Sequence, residues 1–484
     1  MKRTIVNTSN GRLYEAVADH VAALIDAGTL RPGERTPSVR QLCRQLGVST
    51  STVMEAYRLL ESRGRVRARP QSGYFVRESA APVLSEPAPS TPGDRAQPVT
   101  VSSLAASLAA RIGSADVLQL GAAVPAPELL PLQTLSRLYA RLAREHRDTA
   151  HGYIPPPGYL PLRRQIAKRL IEAGCTRSPD DVLITNGATE AVQLCLRAVT
   201  TAGDTVAVES PTFYGSLETL ESLGLHALEV PTNPRDGMNL DALAAAMQGG
   251  TVKAVLLSTN FANPLGTLMP EASKRRLVEL AAAHQVPIID DDIYGDLSYA
   301  PPRPAALAAF DTHGWVVSVG SLSKIVSPGL RIGWCCPGRF AEQVLRLKLA
   351  ASHANAGLPQ IVAGTFLAEG RYERHVRHLQ RFYGEQAERF RQAIARAFPP
   401  ATRMTRPRGG HVVWVEMPIG VDSLKLYDEA LASGISIAPG PLFSASGLYR
   451  NCLRLNTAVS WSPRVEEAIQ TLGRLSRATL DRAG

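Results

Sequence analysis

The sequence has few cysteines and no long apolar run. Six cysteines occur in 484 residues, and none of them forms a C-x-x-C pair. This is too sparse for a disulfide framework, so we expect buried, reduced thiols, no metal site and a cytoplasmic protein. No uninterrupted apolar stretch approaches the ~18 residues of a membrane span. No apolar segment follows the basic pair at the start, as it would in a signal peptide. We therefore predict no membrane association.

Positive charge is concentrated near the start of the chain. The formal net charge is +10 over 484 residues, and residues 1–77 hold 13 Lys and Arg against 6 Asp and Glu, an excess of seven. A chain of this length is expected to form more than one domain. A basic segment attracts polyanions because phosphates that it neutralises release their counterions. Residues 1–77 are therefore a candidate nucleic-acid-binding domain.

The apolar residues of this segment follow a helical period that a tight turn interrupts. They recur every three or four positions in residues 13–28, again in residues 38–46, and again from Val53 onward. Gly47 separates the last two runs, and the hydroxyl cluster after it suits a helix N-cap. Two helices joined in this way indicate a helix-turn-helix, whose second helix lies in the major groove of DNA. The following RVRARPQSGYFV predicts a β-hairpin wing edged with arginines.

Together, residues 11–77 resemble the winged helix of GntR-type transcription regulators. The resemblance implies contacts with double-stranded DNA from Arg40, from Ser49, Thr50, Ser51 and Thr52, and from the wing at Gly73. The chemistry agrees, because arginine binds phosphate or guanine bidentately and hydroxyls at a helix N-terminus suit phosphate. Thr50 stands where related domains often carry a basic residue, which leaves the base preference open. A winged helix that binds protein is the alternative.

Residues 78–114 differ in composition from both flanks. The stretch ESAAPVLSEPAPSTPGDRAQPVT is rich in Ala, Pro and Ser and has few large apolar residues. Such a segment buries too little surface to fold, so we predict a mainly flexible linker. It would separate the DNA-binding domain at 1–77 from a body at 115–484.

The body alternates short apolar runs with helical stretches. Runs such as TVAVES, KAVLLS, VPIID and WVVSV each end in polar residues. Strands that are apolar throughout and separated by helices predict an α/β fold with a parallel-rich sheet covered by helices. Ligands of such sheets bind at the carboxyl ends of the strands, where these polar residues lie.

The polar residues that follow these runs have complementary chemistry. Residues 186–189 open a helix, so their N–H groups and a hydroxyl could hold a phosphate. Asp291 emerges from a buried strand and could pair with a protonated ring nitrogen. Tyr294 and Asn263 offer groups suited to a phenolate oxygen. Each of these features alone is common in proteins that bind no cofactor.

Lys324 lies beyond a further strand, in the stretch SLSKIVSPGLR. Ser321, Ser323 and Arg331 are candidate phosphate ligands around it. An amine for an aldehyde, an acid for a pyridine nitrogen, and a helix N-terminus with an arginine for a phosphate are the requirements of pyridoxal 5'-phosphate. Residues 321–324 also spell S-x-x-K, the acylation pair of penicillin-binding enzymes. The Lys-Thr-Gly strand which that chemistry needs is absent from the sequence.

Most of residues 115–475 resembles the fold-type I aminotransferases, which add a small C-terminal α/β subdomain to the sheet. The resemblance implies that Lys324 forms the internal aldimine with pyridoxal 5'-phosphate and that Arg454 in LRLNTA binds the carboxylate of a substrate or effector. The other implied cofactor contacts are Asp291 (ring nitrogen), Tyr294 and Asn263 (ring oxygen), Phe213 rather than Tyr214 (ring face), Ala188, Thr189, Ser321 and Arg331 (phosphate), and Tyr153 (phosphate of the neighbouring subunit).

The order of winged helix, linker and aminotransferase-like body resembles the MocR subfamily of bacterial transcription regulators. The resemblance implies a homodimer that binds promoter DNA and senses an amine, an amino acid or the cofactor itself. The residues leave two alternatives open. One is a working aminotransferase with an accessory DNA-binding domain, and the other is a cofactor-binding protein without a competent DNA reader.

Overall fold

A computed structural model of the chain describes residues 13–26, 29–31, 33–63, 65–69, 72–76, 84–110, 114 and 116–481. The chain divides into two compact units, Met1–Pro82 and Val83–Gly484. Gly28, the end of the first apolar run in the sequence, and the predicted domain boundary at residue 77 lie outside the described residues.

The first unit is a winged helix. Its elements are α1 (Leu13–Asp26), α2 (Val39–Leu46), α3 (Thr50–Ser62), β1 (Val66–Arg69) and β2 (Gly73–Val76). The helix α2 ends at Gly47, whose φ of 68° is a left-handed conformation that glycine adopts without strain. Ser49 caps α3 by accepting a hydrogen bond from Thr52 N. The predicted helix-turn-helix is confirmed.

The core of this unit joins the helices to the wing. Val17, Leu42 and Leu60 are buried between the three helices. The ring of Tyr57 on α3 stacks on that of Tyr74 on β2, with 4.5 Å between centroids and 10° between planes. The Tyr57 hydroxyl also donates to the carbonyl of Pro37, just before α2. The position of the wing therefore depends on the packing of α3.

The strands of the second unit are β3 (Gln97–Pro98), β4 (Leu118–Gln119), β5 (Leu183–Asn186), β6 (Thr205–Ser210), β7 (His226–Asn233), β8 (Gly237–Met238), β9 (Val252–Leu257), β10 (Asn260–Ala262), β11 (Thr267–Leu268), β12 (Ile288–Asp291), β13 (Val316–Ser321), β14 (Ile332–Cys336), β15 (Arg403–Met404), β16 (Val412–Glu416), β17 (Ile435–Ser436), β18 (Ala438–Pro439) and β19 (Cys452–Asn456).

Its helices are α4 (Ser102–Ala109), α5 (Leu132–Glu145), α6 (Arg147–His151), α7 (Leu160–Glu172), α8 (Ala188–Val199), α9 (Tyr214–Ser222), α10 (Leu240–Gln248), α11 (Glu271–His284), α12 (Ala341–Ser352), α13 (Gly357–Ala368), α14 (Arg371–Ala397), α15 (Ser423–Ala432) and α16 (Pro463–Asp481).

The main sheet has the order β3-β7-β6-β9-β12-β13-β14-β5, and β8 pairs with β7. The five strands from β7 to β13 in this order are parallel. The next strand, β14, is antiparallel to both of its neighbours. The sheet is thus parallel-rich, as predicted, but mixed. Because β14 runs in the opposite direction, its first residue lies at the same edge as the last residues of β12, β13 and β5.

A smaller four-stranded sheet lies in the C-terminal region, with the order β15-β16-β19-β18. Its core contains Trp414, Phe443, Phe390 and Leu455, packed against α14, α15 and α16. The middle strand β19 carries Arg454, whose side chain is fully buried.

The predicted flexible linker is wrong for residues 84–110, which dock on the second unit. The strand β3 pairs with β7, and Glu221 accepts hydrogen bonds from the backbone N–H groups at the start of α4. The few apolar side chains of the segment supply the physical reason. Val99 and Val101 join one core cluster, and Ala105 and Leu108 join another.

Candidate functional site

A cavity of about 230 Å³ lies at the carboxyl-end edge of the main sheet. Ten of the residues singled out in the sequence line it: Ala188, Thr189, Phe213, Asn263, Asp291, Tyr294, Ser321, Ser323, Lys324 and Arg331. They come from segments that are distant in sequence. The sheet brings them together because β12, β13 and β5 end at this edge and β14 begins there.

Lys324 follows β13 on a short turn and extends into the cavity. Its Nζ donates a hydrogen bond of 2.7 Å to the carbonyl of Ala123. Burial lowers the pKa of Lys324 to about 8, the charge of Arg454 adds to this fall, and the carboxylate of Asp291 opposes it. A lysine with a lowered pKa has more of the uncharged amine, which is the form that attacks a carbonyl carbon.

Asp291 is the one member of the run Asp290-Asp291-Asp292 that lines the cavity. Asp290 accepts a hydrogen bond from Thr259 N at 3.0 Å, and Asp292 pairs with Arg303 at 2.6 Å. Asp291 Oδ1 is buried and has no hydrogen-bond partner among the described residues. Because nearly all buried polar atoms in native proteins are paired, this oxygen points to a ligand donor.

The charge state of Asp291 reflects this environment. Burial raises the pKa of Asp291 to about 7, the neighbouring carboxylates of Asp290 and Asp292 add to the rise, and Lys324 opposes it. A protonated ring nitrogen opposite Asp291 would favour the ionised form.

This pKa gives a prediction for the protein without cofactor. The carboxyl of Asp291 keeps its proton in the folded chain up to about pH 7, whereas an unperturbed Asp loses it near 3.8. Between these values the folded state binds more protons than the unfolded state, so Asp291 lowers the free energy of unfolding by about 1.4 kcal/mol per pH unit as pH rises. Asp291→Asn removes this dependence.

We therefore expect the cofactor-free Asp291→Asn protein to gain stability over the wild type as pH increases from about 4 to about 7. Urea unfolding of both proteins at several pH values measures the difference. A difference that stays constant with pH contradicts the assignment. Comparing the two proteins cancels the contributions of buried acids that do not interact with Asp291.

Tyr294 and Asn263 face the cavity beside Asp291. Tyr294 is fully buried, and its hydroxyl makes no hydrogen bond of good geometry with a described residue. Burial raises the pKa of Tyr294, while Arg454 and Asn263 oppose the rise. The phenol is thus a neutral donor at physiological pH.

The turn between β5 and α8 is shaped by glycine. Gly187 has a φ of 82°, and a Cβ at this position would lie 2.6 Å from Arg331 Nη2. A Cβ on Gly333 of β14 would lie 2.3 Å from the Gly187 carbonyl carbon. The two glycines allow β14 to approach the turn, so that Arg331 Nη2 donates to Asn186 O at 2.9 Å. The guanidinium is thereby placed at the N-terminus of α8.

Ala188 and Thr189, the first residues of α8, complete this end of the cavity with Ser321 and Ser323. The Ser321 hydroxyl lies 2.9 Å from that of Ser323 and accepts from the Ser323 N–H. Free N–H groups at a helix N-terminus, two hydroxyls and an arginine form an anion site.

The Phe213 ring lines the cavity, whereas the Tyr214 ring lies in a different direction. The two rings are 4.8 Å apart, and that of Tyr214 packs edge-on against Phe443. A cation–π contact of 5.7 Å joins the Tyr214 ring to the Arg454 guanidinium.

Arg454 does not line the cavity itself but bonds Asn263, which does. Its Nη1 donates to Asn263 Oδ1 at 3.1 Å, and its Nη2 donates to the carbonyl of Gly121. Its Nε is buried without a hydrogen-bond partner among the described residues. An arginine with an unused, buried N–H beside the cavity suits a carboxylate ligand.

Tyr153 lies apart from this cavity. It is 84% exposed, and its ring packs edge-on against that of His353 at 5.5 Å. The predicted contact is with the phosphate of a neighbouring subunit, and an exposed ring is available for such a contact.

The predicted DNA contacts lie on the first unit. Arg40, Ser49, Thr50, Ser51 and Gly73 are exposed, and Thr52 is half-buried. The Ser49 hydroxyl is 2.8 Å from those of Ser51 and Thr52, so the three hydroxyls form one cluster at the start of α3. Gly73 opens β2 with a φ of 93°.

The sequence did not indicate three further groups at the site. The carbonyls of Gly121 and Ala123 accept hydrogen bonds from Arg454 and Lys324, and a backbone carbonyl has no signature in a sequence. His411 is fully buried, with its ring 5.2 Å from that of Tyr294. Burial lowers the pKa of His411 to about 3, and the charge of Lys324 adds to this fall. His411 is therefore a neutral neighbour of the cavity.

Comparison with known proteins agrees with this architecture. Residues 116–472 match the family of class I and II aminotransferases, and residues 13–76 match the gntR family of bacterial regulatory proteins. The chain is 37% identical to the uncharacterized HTH-type transcriptional regulator YjiR of Escherichia coli (strain K12) over 95% of this chain and 98% of that protein. It is 38% identical to YdcR, another uncharacterized HTH-type transcriptional regulator of the same organism, over 96% of this chain and 99% of that protein.

A solved structure supports the fold of the second unit. It is the crystal structure of the α-aminoadipate aminotransferase LysN from Thermus thermophilus, complexed with N-(5'-phosphopyridoxyl)-L-leucine. The match covers 79% of this chain and 100% of the LysN chain. The TM-score is 0.72 and the identity is 29%. No helix in the described part of the chain has the length and apolarity of a membrane crossing.

A winged helix followed by a fold-type I aminotransferase domain defines a class of protein, the DNA-binding transcription regulator that depends on pyridoxal 5'-phosphate. The chain belongs to the MocR-type regulators, which join a GntR-family DNA-binding domain to a class I and II aminotransferase domain. The site fits the cofactor on the evidence of the structure itself. A lysine with a lowered pKa, an orphaned buried carboxyl oxygen and an anion site share one cavity.

Proposed function

We propose that this regulator senses a primary amine or amino acid through pyridoxal 5'-phosphate held in the cavity and changes its binding to promoter DNA in response. The observation that carries the proposal is the meeting of Lys324, Asp291 and the anion site in one cavity of a chain that also has a winged helix. When bound, the cofactor supplies an aldehyde carbon that condenses reversibly with primary amines.

Each group in the cavity has a role in this proposal. Lys324 would anchor the cofactor covalently through Nζ, and Asp291 would hold a proton on the ring nitrogen. Tyr294 and Asn263 would donate hydrogen bonds to the ring oxygen, and the Phe213 ring would stack on the ring face. The phosphate would be bound by Ala188, Thr189, Ser321 and Arg331.

An effector amine would compete with Lys324 for the aldehyde carbon. The free Lys324 amine could then return to the carbonyl of Ala123, its partner in the structure. Arg454 would bind the effector's carboxylate through its unpaired Nε–H, which favours amino acids over simple amines.

The assembly that we propose is a cytoplasmic homodimer. Tyr153 would contact the cofactor phosphate of the partner subunit, so that each site is complete only in the dimer. A two-fold dimer would present two winged helices to two half-sites. Arg40, the hydroxyl cluster Ser49–Thr52 and the wing at Gly73 would contact the DNA.

An absorbance titration tests the sensing step. The purified, cofactor-loaded protein is titrated with amino acids and with amines that lack a carboxylate, and its visible spectrum is recorded. We expect saturable spectral changes with an amino acid, and a change in its midpoint of about tenfold or more in Arg454→Gln, since an arginine–carboxylate contact is worth ~1.5–3 kcal/mol. A spectrum that no amine alters contradicts the proposal.

A second candidate function is turnover as an aminotransferase. The observation that favours it is that Lys324, Asp291 and Tyr294 lie close enough in one cavity for the charge of Asp291 to act on both other groups. A lysine freed from the cofactor is the general base that transamination needs. A multiple-turnover assay with an amino donor and a keto acid separates the two functions, because sensing requires binding and no catalytic cycle.

A further inference from the structure

The helix α14 carries an unusual amount of positive charge. Its 27 residues contain seven arginines and three glutamates, an excess of four. The whole chain has a formal net charge of +10, of which residues 1–77 hold seven, which leaves three for residues 78–484. The excess on this one helix is therefore larger than the net charge of residues 78–484 as a whole.

Three of these arginines form a stripe on one face. Arg374, Arg377 and Arg381 are spaced three and four residues apart, which places them on neighbouring turns of the same side. All three are exposed, and His378, also exposed, lies beside them. The stripe extends along about 10 Å of the helix axis, at 1.5 Å per residue.

The opposite face of α14 belongs to the core of the second unit. Val376 and Leu379 are buried, and the Tyr372 hydroxyl donates to Asp296 at 2.5 Å. His375 Nε2 bonds the carbonyl of Ile325, the residue after Lys324, at 2.7 Å. The helix is thus held firmly from within, and the arginine stripe (Arg374, Arg377, Arg381) points outward on a fixed support.

Nothing in the described part of the chain forms an ion pair with the arginine stripe. The acidic residues near its first turn have other partners, since Glu369 pairs with Arg141 and Arg371, and Glu373 pairs with Arg169. No ion pair, side-chain hydrogen bond or ring contact of the stripe occurs among the described residues. Like charges three and four residues apart destabilise a helix by about 0.2–0.5 kcal/mol per pair. Among the described residues, no ion pair offsets this repulsion.

We propose that the arginine stripe binds phosphates of the DNA that flanks the sequence read by the winged helix. The proposal rests on the proposed DNA-binding function. Duplex DNA carries one negative charge per ~1.7 Å of axis, so about 10 Å of duplex offers several phosphates to three arginines. Arginine suits this contact because its planar guanidinium binds phosphate bidentately. Phosphate contacts of this kind add affinity and position the protein without reading sequence.

A probe-length series with a matched control tests the proposal. The full-length, cofactor-loaded wild type is compared with the stripe variant, which combines Arg374→Gln, Arg377→Gln and Arg381→Gln. The control variant combines Arg389→Gln, Arg396→Gln and Arg474→Gln, three exposed arginines outside the stripe, and loses the same charge. The affinity of each protein is measured for a series of duplexes from its upstream region. The longest duplex extends about three helical turns on either side of the sequence that the winged helix recognises, and the shorter ones are trimmed inward from both ends.

The expected result is specific to long probes. The stripe variant should bind the longest duplex about tenfold or more weakly than the wild type at low salt, with a slope of log K against log salt that is less steep by about 2–3. Trimming the flanks should weaken the wild type and the control variant but leave the stripe variant unchanged.

Other outcomes overturn the proposal. Equal salt slopes for the stripe variant and the wild type on the longest duplex would show that the stripe does not bind DNA. An acidic protein would then be the remaining candidate partner of the stripe. An equal loss on every probe length, shared by the control variant, shows a general charge effect. Wild-type binding to the shortest duplex tests the proposed function separately, and an unchanged cofactor spectrum of the stripe variant shows that its fold is intact.

Discussion

Replacing Lys324 by alanine is expected to abolish the covalent retention of pyridoxal 5'-phosphate. Lys324 Nζ is the amine in the cavity, and its pKa, lowered to about 8 by burial, favours reaction with an aldehyde. After reduction with borohydride and denaturation, the wild type should keep the cofactor on a peptide that contains residue 324. The alanine variant should keep none, as measured by mass spectrometry and by absorbance.

The matched control for this experiment is Lys253→Ala. Lys253 is exposed on β9 and bonds only the carbonyl of Gly250 among the described residues. This variant should retain the cofactor like the wild type. Covalent cofactor on any other lysine of the Lys324→Ala protein would contradict the assignment, whereas non-covalent binding would not, because the phosphate and ring contacts remain.

Replacing Tyr57 by alanine is expected to unfold the winged helix and abolish specific DNA binding. Tyr57 is 1% exposed and stacks on Tyr74 of the wing. Loss of a buried aromatic side chain costs about 3–5 kcal/mol, which is comparable to the whole stability of a small domain, about 5 kcal/mol at the low end of the usual range. DNA binding should fall by about two orders of magnitude or more, as measured by fluorescence anisotropy.

Tyr57→Phe separates packing from hydrogen bonding. It keeps the ring stack and loses only the hydroxyl that donates to Pro37 O, at a cost of about 0.5–1.5 kcal/mol. This variant should still bind DNA. The cofactor spectrum should remain unchanged in both variants, because the two units are separate compact bodies. An alanine variant with normal DNA affinity would show that the wing is held by other contacts.

Local signals in the sequence were sufficient for the elements of the winged helix. Gly47 marked the end of α2 because only glycine adopts its left-handed φ of 68° without strain, and Ser49 marked the start of α3 because its hydroxyl caps the helix. That the candidate cofactor residues would cluster was also predictable, since the end of each buried strand is followed by polar residues at one sheet edge. Most of these residues line one cavity, and their roles toward the cofactor remain predictions.

Contacts between distant segments were not predictable. The composition of residues 78–114 indicated a flexible linker, but residues 84–110 dock through apolar side chains, pairing with β7 and hydrogen bonds to Glu221. The antiparallel direction of β14 is set by its pairing with β13 and β5, and no residue pattern reports it. The partners of Arg454 are a backbone carbonyl and Asn263, which come from chain segments far away in sequence.

Residues 121–124 contact the proposed sensing residues. Their carbonyls accept hydrogen bonds from Arg454, Lys324 and Asn456. In the proposed mechanism, a ligand that engages Lys324 Nζ must compete with its hydrogen bond to the carbonyl of Ala123.

The most direct test of the account is the affinity of the full chain for its own upstream DNA, measured with and without pyridoxal 5'-phosphate and with the amine that alters its spectrum. Linkage requires that a regulatory ligand bind the two DNA-affinity states differently. We predict a change in DNA affinity of about tenfold or more, equivalent to ~1.4 kcal/mol. The same change should be absent in Lys324→Ala. An affinity that is identical in all these conditions would contradict the central claim that the cofactor site controls DNA binding.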